Sequence, residues 1–191
     1  MKLVVAVKLL PTPEQAAALA GTLDTANTAA TWLAGQAQTT ARRGRADLQR
    51  EHYAHIKEMG LSAQPALHVL RKVADAYTTR AANLAAGNYG PKGSRRRERV
   101  ENSPIRFRRD AAQPFDDRCL SWRHDMQSVS IWTVEGRMKN LRYTGSADQL
   151  KALQLYRKAK PTWSTATGCG FCTRPARSPN PRLLNPSDGS E

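Results

Sequence analysis

Apolar and polar residues alternate from Leu3 to Leu9. Leu3, Val5, Val7 and Leu9 fall on one face, with Val4, Ala6 and Lys8 on the other. A period of two in β-branched residues predicts a strand. The pattern stops at Pro11-Thr12-Pro13 and resumes with a different period. Leu19, Leu23, Ala26, Ala30 and Leu33 recur at spacings of three and four, which predicts a helix from about Pro13 to about Gln38. Thr12 supplies its N-cap, Pro13 fits the first helical position, and Gln15 completes a capping box. A second helix reads from Ala46 to Met59, with Gly60 as its stop. A third, capped by Ser62 and ended by Gly87, has the stripe Leu67, Leu70, Val73, Ala74, Tyr77, Ala81 and Leu84. Narrow, alanine-rich faces of this kind predict a small helical bundle.

The period of two then returns. Ile105 and Phe107 alternate with Arg106 and Arg108, which predicts a strand. Val129–Val134 and Arg137–Tyr143, separated by Glu135-Gly136, predict a hairpin. Strand, helices, strands is most economically one sheet, so the fold class is α+β: a small antiparallel β-barrel interrupted by an inserted helical bundle. The segments are a first strand in 1–11, the bundle in 12–87, a basic linker in 88–103, the remaining strands in 104–158, and a tail in 159–191. The tail is rich in Pro, Gly, Ser and Thr and has no periodicity, so it is expected to be disordered.

Composition narrows the function. The 191 residues carry 30 Lys and Arg against 16 Asp and Glu, a net charge of +14. A strongly basic chain points to a polyanionic partner, usually nucleic acid. The charge is clustered: 92–109 holds eight basic residues and two acidic ones. Arg95, Arg96, Arg97, Arg99, Arg106, Arg108 and Arg109 are therefore candidates for nucleic-acid contact, together with Arg137, Lys139 and Arg142 of the hairpin. Phe107, Trp122 and Trp132 are interleaved with these arginines. Such aromatics suit base stacking, although a place in the core is the simpler reading. No apolar run is long enough to cross a membrane, so no membrane partner is expected. Three cysteines give no disulfide framework and suit a reducing cytoplasm.

Other chemistry is thin. Cys169-Gly170-Phe171-Cys172 has the spacing of half a zinc site, but the remaining candidates are Cys119 and four scattered histidines, His52, His55, His68 and His124. Asp116 and Asp117 follow Pro114-Phe115 and read as acids that cap or solvate a turn. No catalytic residue, metal ligand or cofactor is assigned from these patterns.

Four segments in order resemble the TnpB family, the transposon-encoded, RNA-guided DNA endonucleases (often called transposases) related to type V CRISPR effectors. They are Val7-Lys8-Leu9-Leu10-Pro11-Thr12-Pro13-Glu14-Gln15; Ala26-Asn27-Thr28-Ala29-Ala30-Thr31-Trp32; Ala63-Gln64 with Arg71-Lys72-Val73-Ala74-Asp75-Ala76-Tyr77; and Val129–Thr133 with Glu135-Gly136-Arg137. The resemblance covers residues 1 to about 158. It implies a wedge-like barrel and a helical recognition bundle that hold guide RNA and target DNA. The family's RuvC-type nuclease domain, with its divalent metal and structural zinc, has no counterpart here, so the chain alone is expected to lack catalysis.

The same resemblance suggests an origin for the tail. Codons from Ala159 onward, read from the third base of each preceding codon, permit the strand pair around Asp-Gly that the family carries there. Phe171-Cys172 constrains that reading and fits it, and Trp163 fits it with a TCN codon at Ser164. The tail is accordingly expected to be out-of-frame translation, and the chain a truncated TnpB. The alternatives are a full-length endonuclease made by frameshift correction, or an unrelated small basic RNA- or DNA-binding protein.

Overall fold

A computed structural model describes residues 5–155, together with the backbone of 160–164 and 170–174. The elements in order are β1 (Val5–Leu10), α1 (Pro13–Thr39), α2 (Arg45–Glu58), α3 (Ala63–Ala85), α4 (Arg95–Asn102), β2 (Gln113–Pro114), β3 (Leu120–Arg123), β4 (Ser128–Thr133), β5 (Gly136–Thr144), α5 (Ala147–Leu155), β6 (Lys160–Ser164) and β7 (Gly170–Arg174). No helix among the described residues is long and apolar enough to cross a membrane.

The strands form one antiparallel sheet in the order β2-β6-β7-β1-β5-β4-β3. The first strand is thus interior, with Lys8 opposite Thr144 on one side and Gly170 on the other. The helical block enters the chain between β1 and the rest of the sheet, as expected. Among the described residues the end strands β2 and β3 are not hydrogen-bonded to each other, so the sheet is open.

The sequence period fixes the inner face of β1, where Val5, Val7 and Leu9 are buried and Ala6, Lys8 and Leu10 are exposed. These side chains join Leu120, Val129, Ile131, Leu141 and Tyr143 from the other strands, and Leu19 and Leu23 from the first half of α1. The second half of α1 packs a separate core with α2 and α3, built around Ala26, Ala30, Leu33, Ala34, Leu48, Val69, Leu70 and Val73. Alanines let the helix backbones approach closely enough for the Tyr77 hydroxyl to donate to the Ala34 carbonyl at 2.8 Å. α1 therefore belongs to both cores. Its start is the predicted capping box: Gln15 N–H donates to Thr12 Oγ1 at 3.3 Å, and Thr12 N–H to Gln15 Oε1 at 3.0 Å.

Several expectations need correction. The basic linker 88–103 contains α4, because Ser94 caps it by accepting from Arg97 N–H at 3.4 Å, and Arg97 pairs with Glu101 at 2.8 Å. The expected strand around Ile105–Arg108 is not in the sheet. Its backbone is held instead by side chains of α1, as described below. The hairpin turns at Val134-Glu135, one residue earlier than read, since Thr133 lies opposite Gly136. On α3 it is Arg80, not Ala81, that is buried. In the tail, β6 and β7 replace the expected disorder at 160–164 and 170–174. β1 would otherwise present an unpaired edge beside β7, and Thr162, Trp163, Phe171 and Thr173 are strand-favouring residues. The rest of 159–191, including Cys169, lies outside the described residues.

Candidate nucleic-acid interface

α4 buries none of its residues. An eight-residue helix without a buried face needs another anchor, and it finds one at its C-terminal carbonyls. Arg80 Nη1 donates to the carbonyls of Val100 at 2.9 Å and Ser103 at 2.7 Å, and Gln38 Nε2 donates to the Glu101 carbonyl at 2.9 Å. A cation is favourable at this end of the helix dipole. Arg80 is only 8% exposed. It lies over the Tyr77 ring, 4.5 Å from its centre, and donates to Gln38 Oε1 at 2.7 Å. Burial lowers its affinity for the proton from the ordinary arginine value, with the neighbouring Tyr77 opposing that effect. Gln38 Oε1 also accepts from Arg43 at 3.3 Å, which ties the α1–α2 connector to the same junction.

Docked in this way, α4 presents Arg95, Arg96 and Arg99 to solvent. Residues 95, 96 and 99 lie within about 100° of one another around the helix, so the three guanidinium groups share a side. Arg96 lies over the Tyr89 ring at 5.9 Å. Arg97 faces the other way. It is half-buried, bonded to Glu101 and, at 3.3 Å, to the Leu84 carbonyl, so it holds the helix rather than a ligand.

The segment after α4 runs along α1. Asn27, 1% exposed, donates from Nδ2 to the carbonyls of Arg109 and Ala111, both at 2.9 Å, and accepts from Lys72 Nζ at 2.5 Å. Thr31 Oγ1 accepts from Phe107 N–H at 3.1 Å. These bonds do the work of a strand ladder. They leave Arg106, Arg108 and Arg109 exposed, while Phe107 packs toward the helical core under Lys72. Arg108 pairs with Asp110 at 3.7 Å and Arg109 with Asp24 at 3.3 Å, both on the surface where such pairs are weak. Beside them is a groove of about 420 Å³ lined by Thr28, Thr31, Trp32, Phe107 and Arg109, with Asn27 at its base. Trp32 is partly buried, and its ring is flanked by His55 at 4.1 Å and His52 at 5.6 Å. The face of an aromatic ring beside an arginine is a platform on which a base can stack. The sequence does not single out Trp32; the available signal is a lone tryptophan on the alanine-rich first helix.

The hairpin residues occupy another surface. Asn140 has φ of +57° and interrupts the register of β4 and β5. This bulge keeps Met138, Leu141 and Tyr143 facing the core while Arg137, Lys139 and Arg142 all remain exposed. Arg137 is committed to the sheet: it donates to Ser130 Oγ at 2.9 Å, the Arg118 carbonyl at 2.8 Å and Ser121 Oγ at 3.3 Å. Lys139 and Arg142 face away from α1, whose Leu19 and Leu23 fill the opposite face of the sheet. The ten predicted residues therefore fall into two groups, one on the helical block and one on the outer face of the sheet.

The interleaved aromatics belong to the cores. Trp122 meets Tyr143 edge-on at 5.0 Å, and Trp132 packs against both cores. Asp116 caps its turn as predicted, with Oδ1 accepting from Arg118 N–H at 3.1 Å and Cys119 N–H at 3.2 Å. No established protein family and no curated protein matches this chain.

Proposed function

We propose that the chain is a nucleic-acid-binding module, corresponding to the wedge and recognition parts of a TnpB-like RNA-guided endonuclease and without catalysis of its own. The observation that carries the binding reading is the docking of α4. A helix with no apolar face is held by its C-terminal carbonyls so that Arg95, Arg96 and Arg99 project together. Arg106, Arg108 and Arg109 continue the exposed charge beside the Trp32 groove. The family reading is supported by the order of the sheet, in which an interior first strand is separated from its partners by the whole helical block. In this reading the open sheet corresponds to the family's wedge barrel, and guide RNA and target DNA are the partners.

The test is a fluorescence titration of a structured RNA at several salt concentrations. Six phosphate contacts give a slope of log K against log salt of roughly −4 to −5. Replacing Arg95, Arg96 and Arg99 together with Gln reduces that slope by about 2 to 3. Trp32→Ala leaves the slope unchanged and weakens single-strand binding by about 1–3 kcal/mol. An affinity that does not depend on salt overturns the proposal.

A further inference from the structure

His68 and Cys119 lie far apart in the sequence, and neither was assigned a ligand role from its pattern. The fold brings them together with Asp116. His68 is on α3, while Asp116 and Cys119 belong to the turn between β2 and β3. One ligand atom from each of the three lies within 4.8 Å of those of the other two. His68 Nε2 is 3.5 Å from Asp116 Oδ2. The imidazole side chain is 12% exposed, and the Pro114 carbonyl is a backbone hydrogen-bond partner for the ring, the kind of outer contact that orients a ligating histidine. Cys119 is 2% exposed.

We propose that His68, Asp116 and Cys119 form a site for one zinc-class divalent ion that clips the sheet to the helical block. The donor set favours this class of ion. Thiolate, imidazole and carboxylate together suit zinc, whereas magnesium and calcium take oxygen ligands. Ligands at about 2.0–2.3 Å from a tetrahedral ion lie roughly 3.3–3.8 Å from one another. The imidazole–carboxylate edge already has that length, and the other edges close by about an ångström of side-chain movement. Asp116 is pre-oriented, because Oδ1 is held by two backbone N–H groups while Oδ2 faces His68 and accepts from Gln64 Nε2 at 2.5 Å. An oriented carboxylate of this kind is a common support for a metal site.

The ion also has a way in and a fourth ligand. His68 and Asp116 line a cavity of about 460 Å³ between α3 and the Pro114–Asp116 segment, open to solvent, from which a water completes the tetrahedron. Arg45, Arg71 and Lys72 line the same cavity and oppose a bare cation. Arg71 is paired with Asp75 at 3.6 Å, and the Lys72 amine is turned toward Asn27 and Gln113. On binding, the Cys119 thiol releases its proton to solvent. Thiolate and carboxylate then carry two negative charges against the two positive charges of the ion.

The experiment is a cobalt(II) titration of the full chain under reducing conditions. Cys169 and Cys172 are replaced by Ser so that the only thiol is Cys119. One equivalent of cobalt is expected to give the visible bands of a tetrahedral ion and a thiolate-to-cobalt charge-transfer band, both removed by zinc. Cys119→Ala abolishes the charge-transfer band. His68→Gln, which leaves the thiol in place, weakens binding by roughly tenfold or more. Zinc raises the melting temperature of the parent and not of His68→Gln, and the metal-free melting curves show that each variant is folded. The absence of a thiolate band in the Cys169→Ser/Cys172→Ser chain, or its persistence after Cys119→Ala, overturns the proposal. So does a zinc-induced rise in melting temperature that is the same with and without His68.

Discussion

Lys72 is a partly buried charge in the helical block. Its amine sits between Asn27 Oδ1 and Gln113 Oε1, over the Phe107 ring, and burial pushes its pKa down to about 8 from an ordinary 10.5. The folded state therefore sheds this proton before the unfolded state does. Between about pH 8 and 10.5 the unfolded chain binds more protons, and stability rises with pH, by up to about 1.4 kcal/mol per unit. Cys119 acts in the opposite sense: burial raises it from 9 to about 12, so its contribution falls as pH climbs through that interval. Urea unfolding midpoints of the native chain are expected to rise from pH 8 to 9 and then level off. In Lys72→Met the rise is absent and only the decline above pH 9 is left. Identical profiles for the two proteins would show that the amine is not buried in the way described. The network around Lys72 also marks the limit of sequence reading. Asn27 was noted only as part of a resembling segment. A buried amide on an apolar helix face is an anomaly in a periodic stripe, but its partners, the carbonyls of Arg109 and Ala111, are more than eighty residues away.

At the level of elements, the long helices were legible because their apolar stripes are periodic and their caps are explicit. Thr12, Pro13 and Gln15 mark the start of α1 within the sequence itself. α4 was not legible as a docked helix, because it has no apolar stripe and depends on a cation contributed by α3. One clue existed: Val73, Tyr77, Arg80 and Leu84 are spaced four, three and four apart, so Arg80 interrupts the core face of α3 where an apolar residue would be expected. Of the candidate site, the exposed arginines of α4 and of Arg106–Arg109 were readable from charge clustering. The commitment of Arg97 and Arg137 to internal bonds was not, since nothing in a run of arginines says which one turns inward. The β5 bulge explains a second irregularity. Arg137 and Lys139 are odd-numbered and Arg142 even, yet all three are exposed. Asn140 makes this possible by taking a left-handed conformation that Asn and Gly tolerate. Asn140→Gly is expected to stay within about 0.5 kcal/mol of the parent, while Asn140→Val costs about 1–2 kcal/mol by thermal denaturation. Equal costs for the two would argue against the left-handed bulge.

For the whole molecule, α1 is the common element of two cores. Leu19 and Leu23 fill the inner face of the sheet, and Ala26 through Ala37 pack α2 and α3. A continuous helix transmits the loss of one core to the other, because fraying at its middle breaks contacts on both sides. Sheet and helical block are expected to unfold together. Trp32 reports on the helical block and Trp122 on the sheet, so single-tryptophan variants retaining one or the other should give coincident denaturation curves. Two separated transitions would mean that α1 does not couple the units. The α+β class and the inserted bundle were legible from the order of periods along the chain, two, then 3.6, then two. The strand order was not, because which strands neighbour β1 depends on segments at the far end of the sequence.

That interior placement of β1 has a consequence for synthesis. Lys8 emerges from the ribosome early, but its partners Thr144 and Gly170 follow only after the entire helical block has been made. At about 5–20 residues per second, this is an interval of many seconds. Throughout it, Val5, Val7 and Leu9 have no sheet to enter, while α1, α2 and α3 already have all the residues they need to pack. The nascent chain therefore carries an unpaired apolar strand at the mouth of a finished bundle. A chaperone that binds short extended apolar segments would meet its substrate there, before β7 is translated.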